Sequence, residues 1–258
     1  SSTKCCDDHL WYTQTSLERY ARRSGKVRSL RELRTTLTYG LSKKRNHMIP
    51  MVLPVEFERK EVSIEPYFFG VLLGDGSFRG GTPTLSTSDN EILENCLPGA
   101  KACGVGFNKH KTSKYDYYIS NSNKKGGTEN QLSKHIRNMG LRNKFSFEKS
   151  IPNEYKFNSP DVRLAVLQGL MDTDGFVSKD GTSTVFYSSS EQLAKDVQEL
   201  VWSFGGKAVL CNKQTSFLDH AKTLKPGRPS YAVHISLDNG LIPFSLKRKA
   251  SRFVLRTK

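Results

Sequence analysis

Arg163-Leu164-Ala165-Val166-Leu167-Gln168-Gly169-Leu170-Met171-Asp172-Thr173-Asp174-Gly175 has an upstream partner in Glu65-Pro66-Tyr67-Phe68-Phe69-Gly70-Val71-Leu72-Leu73-Gly74-Asp75-Gly76. Each copy is an apolar run too short to cross a membrane and long enough for about three helical turns. Each ends in Asp-Gly, a C-terminal helix stop. The two acids stand 99 positions apart, at 75 and 174. Small residues recur four apart, Gly70 with Gly74 and Gly169 with Thr173, so they share a helix face and let another helix approach closely. Packing the copies side by side in parallel predicts that Asp75 and Asp174 meet at two partly negative helix ends, a place for a divalent cation. The plainer alternative is two core helices that each end in a surface turn; the shared spacing and shared ending argue against it.

The chain has 258 residues and a net charge of +15, with a pI of about 9.6. That balance points to a polyanionic partner, nucleic acid first, and 10% aromatic content argues against disorder. Five cysteines include no Cys-x-x-Cys pair, and Cys5 and Cys6 are adjacent, so neither a disulfide framework nor a zinc ribbon is indicated. No apolar run reaches about 18 residues and no hydrophobic leader opens the chain. A soluble, intracellular, cytoplasmic protein with no membrane partner is expected.

Taken in order, residues 1 to 15 read as a short strand. From Glu18 to His47 ten Lys or Arg face two acids, and Ser29 to Leu37 reads as a helix with Leu30, Leu33 and Leu37 inward. Its arginines, Arg31 and Arg34 among them, could lie along phosphates, or form a solvated charged face. Met48 to Pro54 breaks the helix and extends into the first motif. After Asp75, Ser77 to Arg79 and Pro83 to Thr87 read as a hairpin around Gly80-Gly81. Ser88 with Glu91 and Ser189 with Gln192 read as matched capping boxes, the first helix ending at Leu97-Pro98-Gly99 and the second at Gly205-Gly206. Lys101-Ala102 echoes Lys207-Ala208, and Tyr118-Ile119-Ser120 echoes His234-Ile235-Ser236. Each half thus reads helix, hairpin, helix, hairpin, helix: an α+β chain with a 1–60 extension and halves at 61–158 and 159–258. The free sheet faces should carry the positive charge.

Leu167 to Gly175 resembles the LAGLIDADG motif of homing endonucleases, and Phe68 to Gly76 resembles a divergent first copy. Phe68 and Phe69 fill the opening Leu-Ala positions, Leu73 replaces the first acid, and Thr173 replaces a small Ala. The resemblance implies two pseudo-symmetric αββαββα halves in a monomer, their two antiparallel sheets forming a saddle on double-stranded DNA. It also implies metal binding by Asp75 and Asp174. Groove-reaching loops are expected at Arg79 to Thr82, Asn108 to Lys114, Lys179 to Thr182 and Asn212 to Arg228, giving Arg79, Lys109, Lys111, Lys114, Lys179, Lys213, Lys222, Lys225 and Arg228 as DNA contacts. Lys149-Ser150-Ile151-Pro152 resembles the Lys-x-Ile-Pro block of intein endonucleases, which makes Lys149 a third catalytic residue that orients a water. Its counterpart is expected within Pro243 to Lys249, at Lys249 with Lys247 behind it. Asp8-His9-Leu10 resembles the Thr-x-x-His block of intein splicing domains, with Cys6 at the Thr position and His9 as a remnant. The chain ends Arg256-Thr257-Lys258 rather than His-Asn, so splicing by it is not expected.

Two carboxylates match the sparse oxygen ligation of Mg²⁺, with Mn²⁺ also fitting, and the carbonyls of Gly74 and Thr173 could add ligands. Asp172 is expected to form hydrogen bonds rather than hold metal. There is no phosphate loop ending in Lys-Ser/Thr and no Gly-x-Ser-x-Gly. A site-specific, metal-dependent DNA endonuclease is the reading, with a non-cutting nucleic-acid binder (a maturase or regulator) and an intein fragment as alternatives.

Overall fold

The computed structural model describes residues 4–50, 52–121, 129–218, 222–237 and 240–254. The chain forms two compact units, Ser1–Val52 and Leu53–Lys258. In the first, β1 (Leu10–Thr15) leads through α1 (Ser16–Tyr20) to β2 (Lys26–Ser29), α2 (Leu30–Thr35), the small ribbon β3 (Thr38–Tyr39) and β4 (Lys44–Arg45), and β5 (His47–Met48). β1 pairs antiparallel with β2 and, at its end, with β5. Capping boxes start both helices: Thr15 with Glu18 and Ser29 with Glu32. α2 is shorter than the sequence period implied, and of its three leucines only Leu33 is buried; Leu37 lies beyond the helix and is exposed.

The second unit says its pattern twice. The first round is α3 (Pro66–Asp75), β6 (Gly76–Ser77), β7 (Thr84–Ser86), α4 (Asn90–Ala102), β8 (Val105–Lys109), β9 (Asp116–Asn121) and α5 (Gln131–Asn138). A 3₁₀ turn at Ser146–Glu148 and α6 (Asn153–Lys156) follow. The second round is α7 (Pro160–Thr173), β10 (Gly175–Val177), β11 (Thr184–Ser188), α8 (Glu191–Ser203), β12 (Lys207–Leu218), β13 (Leu224–Ser236) and α9 (Lys247–Ala250). Both sheets are antiparallel, ordered β6-β7-β9-β8 and β10-β11-β13-β12, the same path twice. A shared core joins the rounds, from Phe68, Phe69 and Leu72 through Val166, Leu167 and Leu170 to Phe204 and Val233.

At the centre α3 packs against α7 with backbones in contact. A Cβ on Gly70 would lie 2.3 Å from the Val166 carbonyl oxygen, one on Gly169 2.3 Å from that of Tyr67, and one on Gly74 2.0 Å from Thr173 Oγ1. Residue numbers rise together along both helices, so they run parallel, as the small-residue spacing predicted.

Several local expectations shift. α4 does not stop at Pro98: it runs to Ala102, and the stop is Gly104 at φ +66°. Gly99 is there for packing, since a Cβ would meet Phe68 Cβ at 2.8 Å and Glu65 Cβ at 2.9 Å. The N-caps sit one residue later than read, at Asp89 and Ser190. Ser120 and Ser236 do correspond, because Tyr118 and His234, two residues before them, pair with Thr84 and Val185, each one residue before the partner of Gly76 or Gly175. Lys207 pairs with Ser236 as Gly106 pairs with Ser120, so it matches Gly106 and not Lys101, which is helical. The second round closes on the four-residue α9, not a long helix. Of the range 212–228, residues 219–221 lie outside the described residues; Asn212 to Leu218 and Leu224 to Arg228 are strand and not loop, for β12 and β13 form a ribbon paired from Lys207↔Ser236 out to Leu218↔Leu224, well past the end of β11. The segment 53–60, placed with the extension by sequence, packs on the second unit: Val55 N–H donates to the Ser203 carbonyl, and Lys60 exchanges two bonds with the Asn158 amide.

Candidate active site

Asp75 is the last residue of α3 and Asp174 the C-cap of α7, so parallel packing brings both to one end of the helix pair. Asp174 Oδ2 lies 3.3 Å from the position a Gly74 Cβ would take, and Thr173, with Oγ1 at 2.0 Å and Cβ at 2.8 Å, is what leaves no room for a side chain there. Both carboxylates are half-buried. Burial raises Asp75, partly offset by Lys149 and Lys249; burial and then the charge of Asp75 push Asp174 up to about 7.

Behind the acids two lysines repeat the symmetry. Lys149 Nζ donates to the carbonyls of Leu72 at 3.2 Å, Leu73 at 2.9 Å and Gly76 at 2.6 Å, with Gly74 at 3.4 Å. Lys249 Nζ donates to those of Met171 at 2.8 Å, Asp172 at 2.7 Å and Gly175 at 2.6 Å. The acceptors match position for position. Each ammonium caps the negative end of its own half's motif helix, and burial lowers both lysines to about 8, against the pull of Asp174 and Asp75 on Lys149 and chiefly of Asp172 on Lys249. Lys249, not the exposed Lys247, is thus the counterpart of Lys149. An ammonium has three N–H groups, and backbone carbonyls engage all three in each lysine.

The lysine segments are anchored crosswise. The Lys149 carbonyl accepts from Ser190 Oγ, the N-cap of α8, at 2.7 Å, and the buried Asp196 accepts from Ile151 N–H at 2.8 Å. Arg248 and the Lys247 N–H donate to Asp89 and Glu91 at the start of α4. Asp172 accepts from Tyr67 Oη at 2.9 Å and from the Ser245 and Leu246 N–H groups, so it forms the hydrogen bonds expected of it and ties the halves together. Burial carries its carboxyl up to about 6 against those donors. The caps Asp89 and Ser190, with Tyr67 and Asp196, escaped the sequence reading; the two caps lie one residue from the serines chosen there.

Two recesses open beside the acids. One, about 280 Å³, is lined by Gly74, Asp174, Ser146 and Ser188; the other, about 350 Å³, by Asp75, Thr173, Thr87 and Arg248. Among the described residues no three His, Cys, Asp or Glu converge as a metal cluster. A pair of carboxylates with nearby carbonyls fits a hard cation that keeps waters, and does not fit zinc.

The basic side chains fall only partly where they were expected. By strand alternation the outward face of the first sheet presents Thr84, Asn108, Tyr118 and Ser120, without a lysine. Lys109 sits on the other face at the strand end, donating to the Lys114 carbonyl and to Tyr117 Oη. Lys111, Lys114 and Lys179 are exposed in turns, and Lys213, Lys222, Lys225 and Arg228 are exposed along the ribbon and its turn. In the first unit Arg31 and Arg34 pair with Asp8 and Asp7, at 3.2 and 3.1 Å. His9 is exposed with its ring tilted against Trp11.

Residues 161–216 match a family described as the LAGLIDADG-like domain. Two curated relatives bear the name replicative DNA helicase DnaB. The one from Mycobacterium intracellulare is 24% identical over 257 residues, covering 94% of this chain and 38% of that protein. The one from Synechocystis sp. (strain ATCC 27184 / PCC 6803 / Kazusa) is 32% identical over 180 residues, 62% of this chain and 20% of that protein. The chain therefore spans well under half the length of either. Among solved structures, I-DmoI in complex with DNA and Ca aligns at 16% identity over 73% of this chain and 95% of that one, with a TM-score of 0.44. I-DmoI in complex with DNA and Mn gives 16% over 67% and 89%, with a TM-score of 0.41. The stretch that resembles the LAGLIDADG-like domain thus runs from the helix that delivers Asp174 into the β12 strand.

Proposed function

We propose that this chain is a single-chain, two-motif LAGLIDADG homing endonuclease that hydrolyses both strands of a long site in duplex DNA with Mg²⁺ or Mn²⁺. One observation carries the reading: two acids delivered to one place by parallel helices whose ends are capped by matched lysines. A structural helix pair has no need to gather two half-buried carboxylates and hold one near neutrality.

Asp75 and Asp174 would hold the cation, with the carbonyls of Gly74 and Thr173 as the adjacent oxygen donors. When bound, a divalent cation supplies an activated water, neutralises the phosphate and stabilises the leaving oxygen. The chain's own part is positional and electrostatic. Lys149 and Lys249 fix the helix ends and spread positive charge behind the acids. The two recesses, one per acid, give each strand of a duplex a place for its reacting phosphate.

The DnaB-named relatives favour an intein origin over a motor. No Gly-x₄-Gly-Lys-Ser/Thr loop occurs in this sequence, so what it shares with them is not a nucleotide-binding engine. His9 then reads as a splicing-block remnant, and the site of action as an intracellular, DNA-containing compartment. The test is incubation with Mg²⁺ and a library of long duplexes, repeated with Asp174→Asn. Double-strand cutting lost in that variant with duplex binding kept supports the assignment; cutting that survives places the chemistry elsewhere.

A further inference from the structure

Between α5 and α6 the chain carries two aromatic rings near the Asp174 recess, Phe145 and Phe147. They stack with centroids 5.1 Å apart and planes 17° from parallel, and Phe145 is 41% exposed. An arginine from each round covers one of them. Arg79, following β6, places its guanidinium 4.0 Å from the Phe145 centroid, and Arg228, on β13, places its own 3.6 Å from that of Phe147. Among the described residues neither arginine makes an ion pair. The result is a ladder of four side chains, Arg79, Phe145, Phe147 and Arg228, spanning both rounds.

Its place is specific. Ser146, between the two phenylalanines, lines the recess that holds Gly74 and Asp174, and so does Ser230, two residues beyond Arg228. The other recess has no such ladder: when Lys149 is aligned with Lys249, Ser245 and Lys247 stand where Phe145 and Phe147 do. A guanidinium held by its face against a ring keeps its N–H edge free in a fixed plane, the geometry that grips phosphate oxygens in pairs.

Resting on the endonuclease reading, we propose that this ladder is a one-sided phosphate clamp: Arg79 and Arg228 hold the duplex backbone beside the Asp174 recess, and Phe145 and Phe147 are the positioning residues that fix the guanidinium planes. Arg79 and Arg228 thereby grip the strand at Asp174 and not the strand at Asp75.

Binding of the full chain to a 40-base-pair duplex of random sequence, without divalent metal and over a salt series, tests this. Arg79→Ala and Arg228→Ala should each reduce the slope of log K against log salt by about 0.9, and the double variant by about twice that. Phe147→Leu, which keeps the apolar bulk, should weaken binding roughly threefold to tenfold with the slope unchanged, and should have no effect once Arg228 is Ala. Melting temperatures taken alongside confirm folding. Slopes unmoved by either arginine, with the native chain still binding, overturn the clamp and leave the endonuclease reading standing. A Phe147→Leu loss that persists in the Arg228→Ala background overturns the positioning role. Better competition by single-stranded RNA than by duplex assigns the arginines to RNA instead, and no salt-dependent duplex binding by the native chain overturns clamp and endonuclease together.

Discussion

Gly70→Ala sets two ordinary rules against each other. In an exposed helix the substitution gains roughly 0.5–1 kcal/mol, because glycine is the poorer helix former. Here the new Cβ would lie 2.3 Å from the Val166 carbonyl oxygen and 3.1 Å from Gly169 Cα, both backbone atoms. Reaching even 3.0 Å requires α3 and α7 to part by about 0.7 Å. Overpacking of that kind costs about 1–3 kcal/mol, and the separation also thins the contact between Val71, Leu170 and their neighbours. The clash wins, and a net loss near 1 kcal/mol lowers the melting temperature by roughly 2–4 °C for a unit of this size. The same movement displaces Asp75 from Asp174, and misplacement on the order of 1 Å costs about a hundredfold in rate. Thermal melts with and without Mg²⁺ and a cleavage time course measure both effects. Gly81→Ala, where nothing lies within 4 Å, is the control. A Gly70→Ala protein more stable than the native one would refute the close approach.

Lys249→Met strands three carbonyls at the end of α7 and should abolish cleavage and lower stability, whereas Lys247→Met should change neither; paired melts and cutting assays separate them. Tyr67→Phe removes one of three donors to Asp172 and should cost about 1–2 kcal/mol by urea titration, a cost that disappears in an Asp172→Asn background. Asp174, raised to about 7, and Asp172, raised to about 6, keep protons in the folded chain that the unfolded chain has released. Metal-free stability should therefore fall as pH rises from about 4 to 7; denaturant titrations in chelator check this, and a rise across that window would contradict the buried-acid arrangement. Asp174→Asn should flatten that fall.

The architecture was legible because the motif is written twice: apolar period, four-residue small spacing and Asp-Gly ending fix two parallel helices and what meets at their ends. Lys149 and Lys249 were legible only through resemblance, since nothing local distinguishes a buried capping lysine from a surface one. The crosswise anchors were hidden for a different reason. Ser190 and Asp89 look like plain helix caps, and their second partners lie 41 residues and 159 residues away. The expected Asn212 to Arg228 loop misled because Gly, Pro and Lys there suggest a turn, whereas cross-strand pairing sustains an extended ribbon. The expectation of cations on the free sheet faces held for one sheet only: the outward face of the first carries no lysine, whereas Lys213 lies mid-strand on that of the second, in line with Val209 and Cys211.

The crosswise anchoring also sets the unit of inheritance. A hybrid chain assembled by exchanging one half for that of a relative would keep each lysine on its own motif helix yet strip it of the foreign helix start that steadies its backbone. Recombinants that work should be those in which residues 89 to 95 travel with 245 to 249, and 149 to 156 with 190 to 199.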